Sequence, residues 1–119
     1  MSHLIYKPPI YFVTTMCRLP SDGILSDLGA RCIGYFYLFS DAEAQVLANA
    51  GNMNRHGRNP YVLIEKVSAG LHRYANSKHY TDGGEEQERW LYRYNDQTGR
   101  YEPMNEPDSM MHIVGIGIG

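Results

Sequence analysis

The 119-residue chain has few cysteines and no long apolar segment. Two cysteines, Cys17 and Cys32, are too few for the disulfide framework of a small secreted protein. No apolar segment follows MSHLIYKPP as it would in a signal peptide, and no run approaches the ~20 apolar residues that a membrane-spanning helix needs. These absences favour a cytoplasmic protein with reduced thiols and without a membrane role.

The sequence also lacks the compact motifs that identify many enzymes. It contains no P-loop, nucleophile elbow, H-E-x-x-H helix or EF-hand loop, and its cysteines are not spaced as zinc ligands. Its last residues, HIVGIGIG, alternate glycine with isoleucine, but a dinucleotide fingerprint must lead into a helix that holds the pyrophosphate, and we expect none there. We predict no cofactor, no metal and no catalytic residue.

Charge is nearly balanced overall and unevenly distributed along the chain. The net charge is −2, which argues against the wide basic face that extended nucleic acid requires. Residues 52–82 carry five cations against two acids, whereas residues 83–108 carry seven acids against three cations. Such a separation could bind an anion at one end or pair two copies head to tail, and it could equally consist of two solvated faces.

Four segments have strand composition. Residues 10–17 are β-branched and aromatic after two prolines, and residues 60–67 alternate between two apolar faces except at Glu65. Residues 90–101 predict a hairpin, with NDQTG as its turn and a proline at 103 ending it. Residues 31–39 are apolar on both faces, which predicts a central strand.

One helix is predicted at residues 41–50. Ser40 and Glu43 have the spacing of a capping box, alanines, Val46 and Leu47 form an apolar stripe, and Gly51 is a plausible C′ residue. Residues 113–118 should form a last strand whose glycine face lies against this helix.

These elements predict one α+β domain spanning residues 1–119. We expect a mainly antiparallel sheet of about five or six strands, with the helix at 41–50 packed on one face. Because one helix leaves the second face of such a sheet exposed, we also expect a homodimer.

Candidate binding residues lie in two segments without helix or strand periodicity. These segments are NRHGR at 54–58 and HRYANSKHY at 72–80. Together they combine cations and imidazoles with tyrosine rings, a mixture that binds phosphates and stacks on bases. The predicted ligand-binding residues are Arg55, Arg58, His72, Arg73, Tyr74, Lys78 and Tyr80. A solvated basic loop would give the same pattern.

The best catalytic interpretation uses Glu65 as an acid or base with His56, His72 or His79. No spacing rule selects these residues as a unit, so we favour a Glu65 that faces solvent or pairs with an arginine. Cys17 as a nucleophile is less favoured, since nothing adjacent in sequence would lower its pKa.

The order of FSDAEAQV, YVLIE, WLYRY and the terminal GIG resembles small single-domain proteins of bacteria and their phages. The resemblance implies a compact protein that recognises another molecule. One specific possibility within this expectation is a phage protein that sequesters a nucleotide signal used in bacterial defence. It assigns no functional residue. We therefore expect a non-catalytic binder of a compact anionic ligand such as a nucleotide. The alternatives are an interaction module for an acidic partner protein, and a small hydrolase or transferase that uses Glu65.

Overall fold

The computed structural model describes residues 8–20, 28–68, 88–110 and 116. They form a five-stranded antiparallel sheet and one main helix, which confirms the predicted α+β fold. The elements are β1 (Ile10–Met16), β2 (Arg31–Phe36), α1 (Phe39–Leu47), β3 (Tyr61–Val67), β4 (Arg89–Asn95) and β5 (Arg100–Met104), with short 3-10 helices at Arg55–Gly57 and Asp108–Met110.

The strand order among the described residues is β2-β1-β3-β4-β5, so β2 lies at an edge of this sheet and not at the predicted central position. It is also shorter than predicted, because Tyr37 and Leu38 turn the chain into α1. Its pairing with β1 is irregular between Val13 and Thr14, where Ile33 is left without a partner residue on β1. A strand with apolar residues on both faces is normally buried on both faces, but in β2 four of the six residues are exposed.

Helix α1 begins at Phe39 and ends at Leu47, earlier at both ends than predicted. Leu38 takes the N-cap position and no side chain caps the helix, so the proposed Ser40 capping box does not form. Asn49 ends the helix instead of Gly51: its φ of 49° is left-handed, and its side-chain oxygen accepts a hydrogen bond from the Met53 amide at 3.0 Å.

The two faces of the sheet carry separate cores, because successive residues of β3 point in opposite directions. Val62 and Ile64 pack with α1 in a cluster that also contains Val13, Ala42, Val46, Tyr92 and Tyr101. Leu63 faces the other way and packs with Met16, Leu28, Leu91, Met110 and Ile116. The face opposite the helix is therefore covered in part by the chain itself, contrary to the premise from which we predicted a dimer.

Polar contacts hold the C-terminal residues on that opposite face. Arg89 forms an ion pair with Glu106 and donates a hydrogen bond to the Met110 carbonyl at 2.5 Å. Ile116 lies in a turn on this face, so its predicted place in a strand beneath α1 is wrong. The rest of the predicted strand at 113–118 lies outside the described residues.

The predicted hairpin is confirmed as β4 and β5, joined by a turn at residues 96–99. Pro103 does not end the pairing but lies within β5, opposite Tyr92. An edge strand tolerates proline because one of its sides needs no amide donor. Among the described residues, no helix is long and apolar enough to cross a membrane.

Candidate functional site

An open cavity of about 160 Å³ lies between β2 and α1, and we call it the β2–α1 groove. Strand β2 supplies residues 33–36, and the helix and the turn after it supply the opposite wall. The lining residues are Val13, Ile33, Gly34, Tyr35, Phe36, Gln45, Val46, Ala50 and Met53. No lining residue is charged, so the groove suits an apolar group.

Gly34 keeps this groove open. A Cβ built on Gly34 would meet no heavy atom within 4 Å, so a side chain at this position would project into unfilled space. Below it, Val13 and Val46 are buried and belong to the core between the sheet and the helix. A group that enters the groove would therefore contact the edge of the hydrophobic core.

Large apolar side chains are exposed on β2 and on the two residues that follow it. Ile33, Tyr35, Tyr37 and Leu38 are 47%, 56%, 65% and 58% exposed. The rings of Tyr35 and Tyr37 meet edge to face with centroids 5.8 Å apart, so part of this surface is ordered by its own contacts. Clustered exposure of this kind is typical of an interaction surface, whereas single exposed apolar residues are common on any protein.

The two edges of the sheet differ in their protection against pairing with another strand. On β5, Pro103 lacks an amide hydrogen, and Arg100 and Glu102 are exposed charges. These features are typical of a blunted edge. On β2 the only charged residue is Arg31 at its first position, and no proline is present. Apart from its local bulge, β2 therefore lacks, within the described part of the chain, the usual devices that prevent edge pairing.

Contacts beneath α1 fix the helix that forms the far wall. Phe39 packs on Trp90 with ring centroids 4.2 Å apart, and the Tyr92 hydroxyl donates a hydrogen bond to the Glu43 carboxylate at 2.5 Å. Burial, and secondarily the hydrogen bond to Glu43, raises the pKa of Tyr92 far above its usual value. Tyr92 therefore stays protonated and remains a donor to the helix at neutral pH.

Only part of the predicted binding set lies in the described residues. Arg55 and Arg58 are exposed at the 3-10 helix that follows Met53, so they come shortly after one wall of the groove. The other predicted residues, His72, Arg73, Tyr74, Lys78 and Tyr80, lie outside the described residues, and their role stays a prediction. Sequence reasoning missed Ile33, Gly34 and Tyr35, because it assigned β2 to the middle of the sheet.

Glu65 is fully buried on the face opposite the groove, so the expectation that it faces solvent is wrong, and the alternative expectation of an arginine partner stays a prediction. Its carboxylate accepts a hydrogen bond from the Ile116 amide at 2.9 Å, which ties the C-terminal segment to β3. His56 is exposed, and the other two histidines proposed with Glu65 lie outside the described residues. The contacts shown for Glu65 thus give it a structural role.

Within residues 8–20, 28–68, 88–110 and 116, no three His, Cys, Asp or Glu side chains come together as metal ligands. Cys17 and Cys32 are both exposed. Comparisons of the chain with protein-family models, curated proteins and solved structures gave no match. They therefore lend no support to the resemblance to bacterial and phage proteins, and the function must be argued from the groove.

Proposed function

We propose that this protein is a non-catalytic interaction module that binds an extended polypeptide segment along β2, with one apolar side chain in the β2–α1 groove. The observation that carries this proposal is an edge strand of the described sheet that has no proline and a single charged residue, flanked by an apolar cavity. In strand addition, main-chain hydrogen bonds to the edge supply affinity, and pockets for alternate side chains supply specificity. β2 and the groove offer both.

The size of the groove supports a side chain over a whole small molecule. Sites for drug-sized ligands usually enclose about 300 to 1,000 Å³, well above the cavity beside β2. An uncharged lining also offers no cationic partner for a phosphate inside the groove. A nucleotide would therefore have to bind elsewhere, as the sequence-based prediction at Arg55 and Arg58 requires.

Charges near the groove favour a segment with acidic residues beside its apolar anchor. Arg31 is exposed and lies two residues before Ile33, and Arg55 is exposed and lies two residues after Met53. Both arginines could pair with carboxylates of the bound segment, mainly increasing its rate of association and its specificity. This is the acidic-partner alternative derived from the sequence, now assigned to a different surface.

The test is selection of peptides from a randomised display library on the immobilised protein, followed by fluorescence anisotropy with each enriched peptide. Gly34→Leu should fill the groove and weaken binding at least about tenfold, equivalent to about 1.4 kcal/mol. Gln97→Leu adds the same side chain in the exposed β4–β5 turn and should leave binding unchanged. Failure of the monomeric protein to enrich any sequence, or equal affinity for wild type and Gly34→Leu, would refute the proposal.

A further inference from the structure

We propose that the segment bound at β2 is β2 of a second copy of this chain, so that two sheets join edge to edge across a two-fold axis. This inference rests on the proposed function, because it uses the same edge strand. Antiparallel pairing of two identical strands satisfies the two-fold symmetry that most homodimers adopt. It places both helices on the same face of one continuous sheet.

The charges along the edge match this arrangement. Arg31 is exposed at the start of β2. Asp41 is exposed in the first turn of α1, shortly after β2 ends, and it lies one helical turn before Gln45 of the groove. The apolar surface of β2 thus has a cation near one end and an anion near the other.

A two-fold axis near Gly34 reverses one copy relative to the other. The start of β2 in one copy then lies beside the end of β2 in the second copy, where α1 begins. Arg31 of each copy consequently faces Asp41 of the other, and symmetry makes this contact twice. A parallel arrangement would instead put like charges together, which disfavours binding.

The exposed apolar residues also fit a second copy of the same surface. Ile33, Tyr35 and Tyr37 lie along the edge, and a two-fold axis brings each set against its symmetry mate. Aromatic residues are enriched at the centre of protein interfaces, with charged residues at the rim. The aromatic residues of β2 lie between Arg31 at its start and Asp41 in α1, so the aromatic residues are central and the charged residues are at the rim.

Charge exchange tests the pairing directly. Sedimentation equilibrium of the full chain, up to high micromolar concentration and at low salt, should show a dimer for wild type. Arg31→Glu alone and Asp41→Lys alone should each raise the dimer Kd about tenfold or more, because both contacts become repulsive. An equimolar mixture of the two variants should restore the dimer. In the mixed dimer the introduced carboxylate of one copy faces the introduced ammonium of the other, while the second contact stays native.

Arg100→Glu is the matched control, because it makes the same charge change on exposed β5 at the opposite edge. It should leave the dimer Kd unchanged, and circular dichroism checks that each variant stays folded. A wild-type mass of one chain, or a dimer insensitive to the changes at residues 31 and 41, overturns the second-copy proposal. If library peptides still bind a monomeric protein through Gly34, the proposed function survives that result; if they do not, both fail.

Discussion

Gly34 and Gly51 provide a sharp test of the groove, because both have open surroundings and different backbone conformations. A Cβ at either residue would meet nothing within 4 Å. Gly51 has a φ of +75°, in the left-handed region, whereas Gly34 lies in β2 and is not among the residues with positive φ. The same change to alanine should therefore alter the free energy of unfolding in opposite directions.

The magnitudes follow from the backbone alone, because the added methyl group makes no contact at either position. Glycine within a strand costs about 0.5 to 1 kcal/mol relative to alanine, so Gly34→Ala should stabilise the fold by about that amount. Alanine in the left-handed region costs roughly 1 to 2 kcal/mol, so Gly51→Ala should destabilise it accordingly. The two variants should differ by about 2 kcal/mol.

Urea denaturation followed by circular dichroism measures this difference, with an unchanged slope m showing that the denatured state is not altered. Each variant is measured at two protein concentrations, which separates a change in the fold from a change in self-association. A Gly34→Ala variant less stable than wild type would mean that residue 34 is closely packed. The groove would then be closed, and the argument for binding there would fail.

Three further predictions concern other parts of the molecule. Burial raises the pKa of Tyr92 in the folded protein, so the stability that the protonated side chain contributes is complete below its unfolded pKa of about 10 and is lost as the pH rises above that value. The urea midpoint of wild type should therefore fall more between pH ~9 and ~11 than the urea midpoint of Tyr92→Phe. Glu65→Gln should lower the free energy of unfolding by about 1 to 3 kcal/mol, because it replaces one buried carboxylate oxygen with an NH2 donor and removes the charge that strengthens the hydrogen bond from Ile116. Glu88→Gln on the surface should cost less than about 1 kcal/mol, and equal effects would contradict the burial of Glu65. If the sequence-based prediction of a compact anionic ligand holds, a thermal-shift screen of nucleotides and cyclic dinucleotides should give a hit. Titration calorimetry should then show that the Arg55→Ala, Arg73→Ala double variant binds this hit about 2 to 5 kcal/mol more weakly than wild type, and equal affinities would place that site elsewhere.

Local patterns predicted most elements and failed at their ends. The β4–β5 hairpin was recognisable because its residues alternate around a turn-forming segment, and that information is contained in neighbouring residues. The start of α1 was misplaced because Ser40 and Glu43 have the spacing of a cap, whereas Glu43 accepts a hydrogen bond from Tyr92, which is distant in sequence. A tertiary partner for Glu43 thus replaced the local one.

The functional surface was harder to predict than the fold, because it depends on the position of a strand in the sheet. Apolar residues on both faces of β2 are as compatible with a central strand as with an edge strand that binds a partner. Only the order of strands distinguishes these possibilities, and in the described sheet it places β2 at an edge. The environment of Glu65 was hard to predict for the same reason, since its hydrogen-bond partner Ile116 is distant in sequence.

The sequence by itself determined the α+β class, the approximate positions of β1, β3 and the hairpin, and the presence of one helix near residue 41, because periodicity and turn residues act over a few neighbours. Tertiary structure decided which strand is left at the edge, that Glu65 is buried, and that Gly34 opens a groove beneath α1. Those properties depend on which distant segments pack together, and hydrophobic burial selects that packing for the chain as a whole.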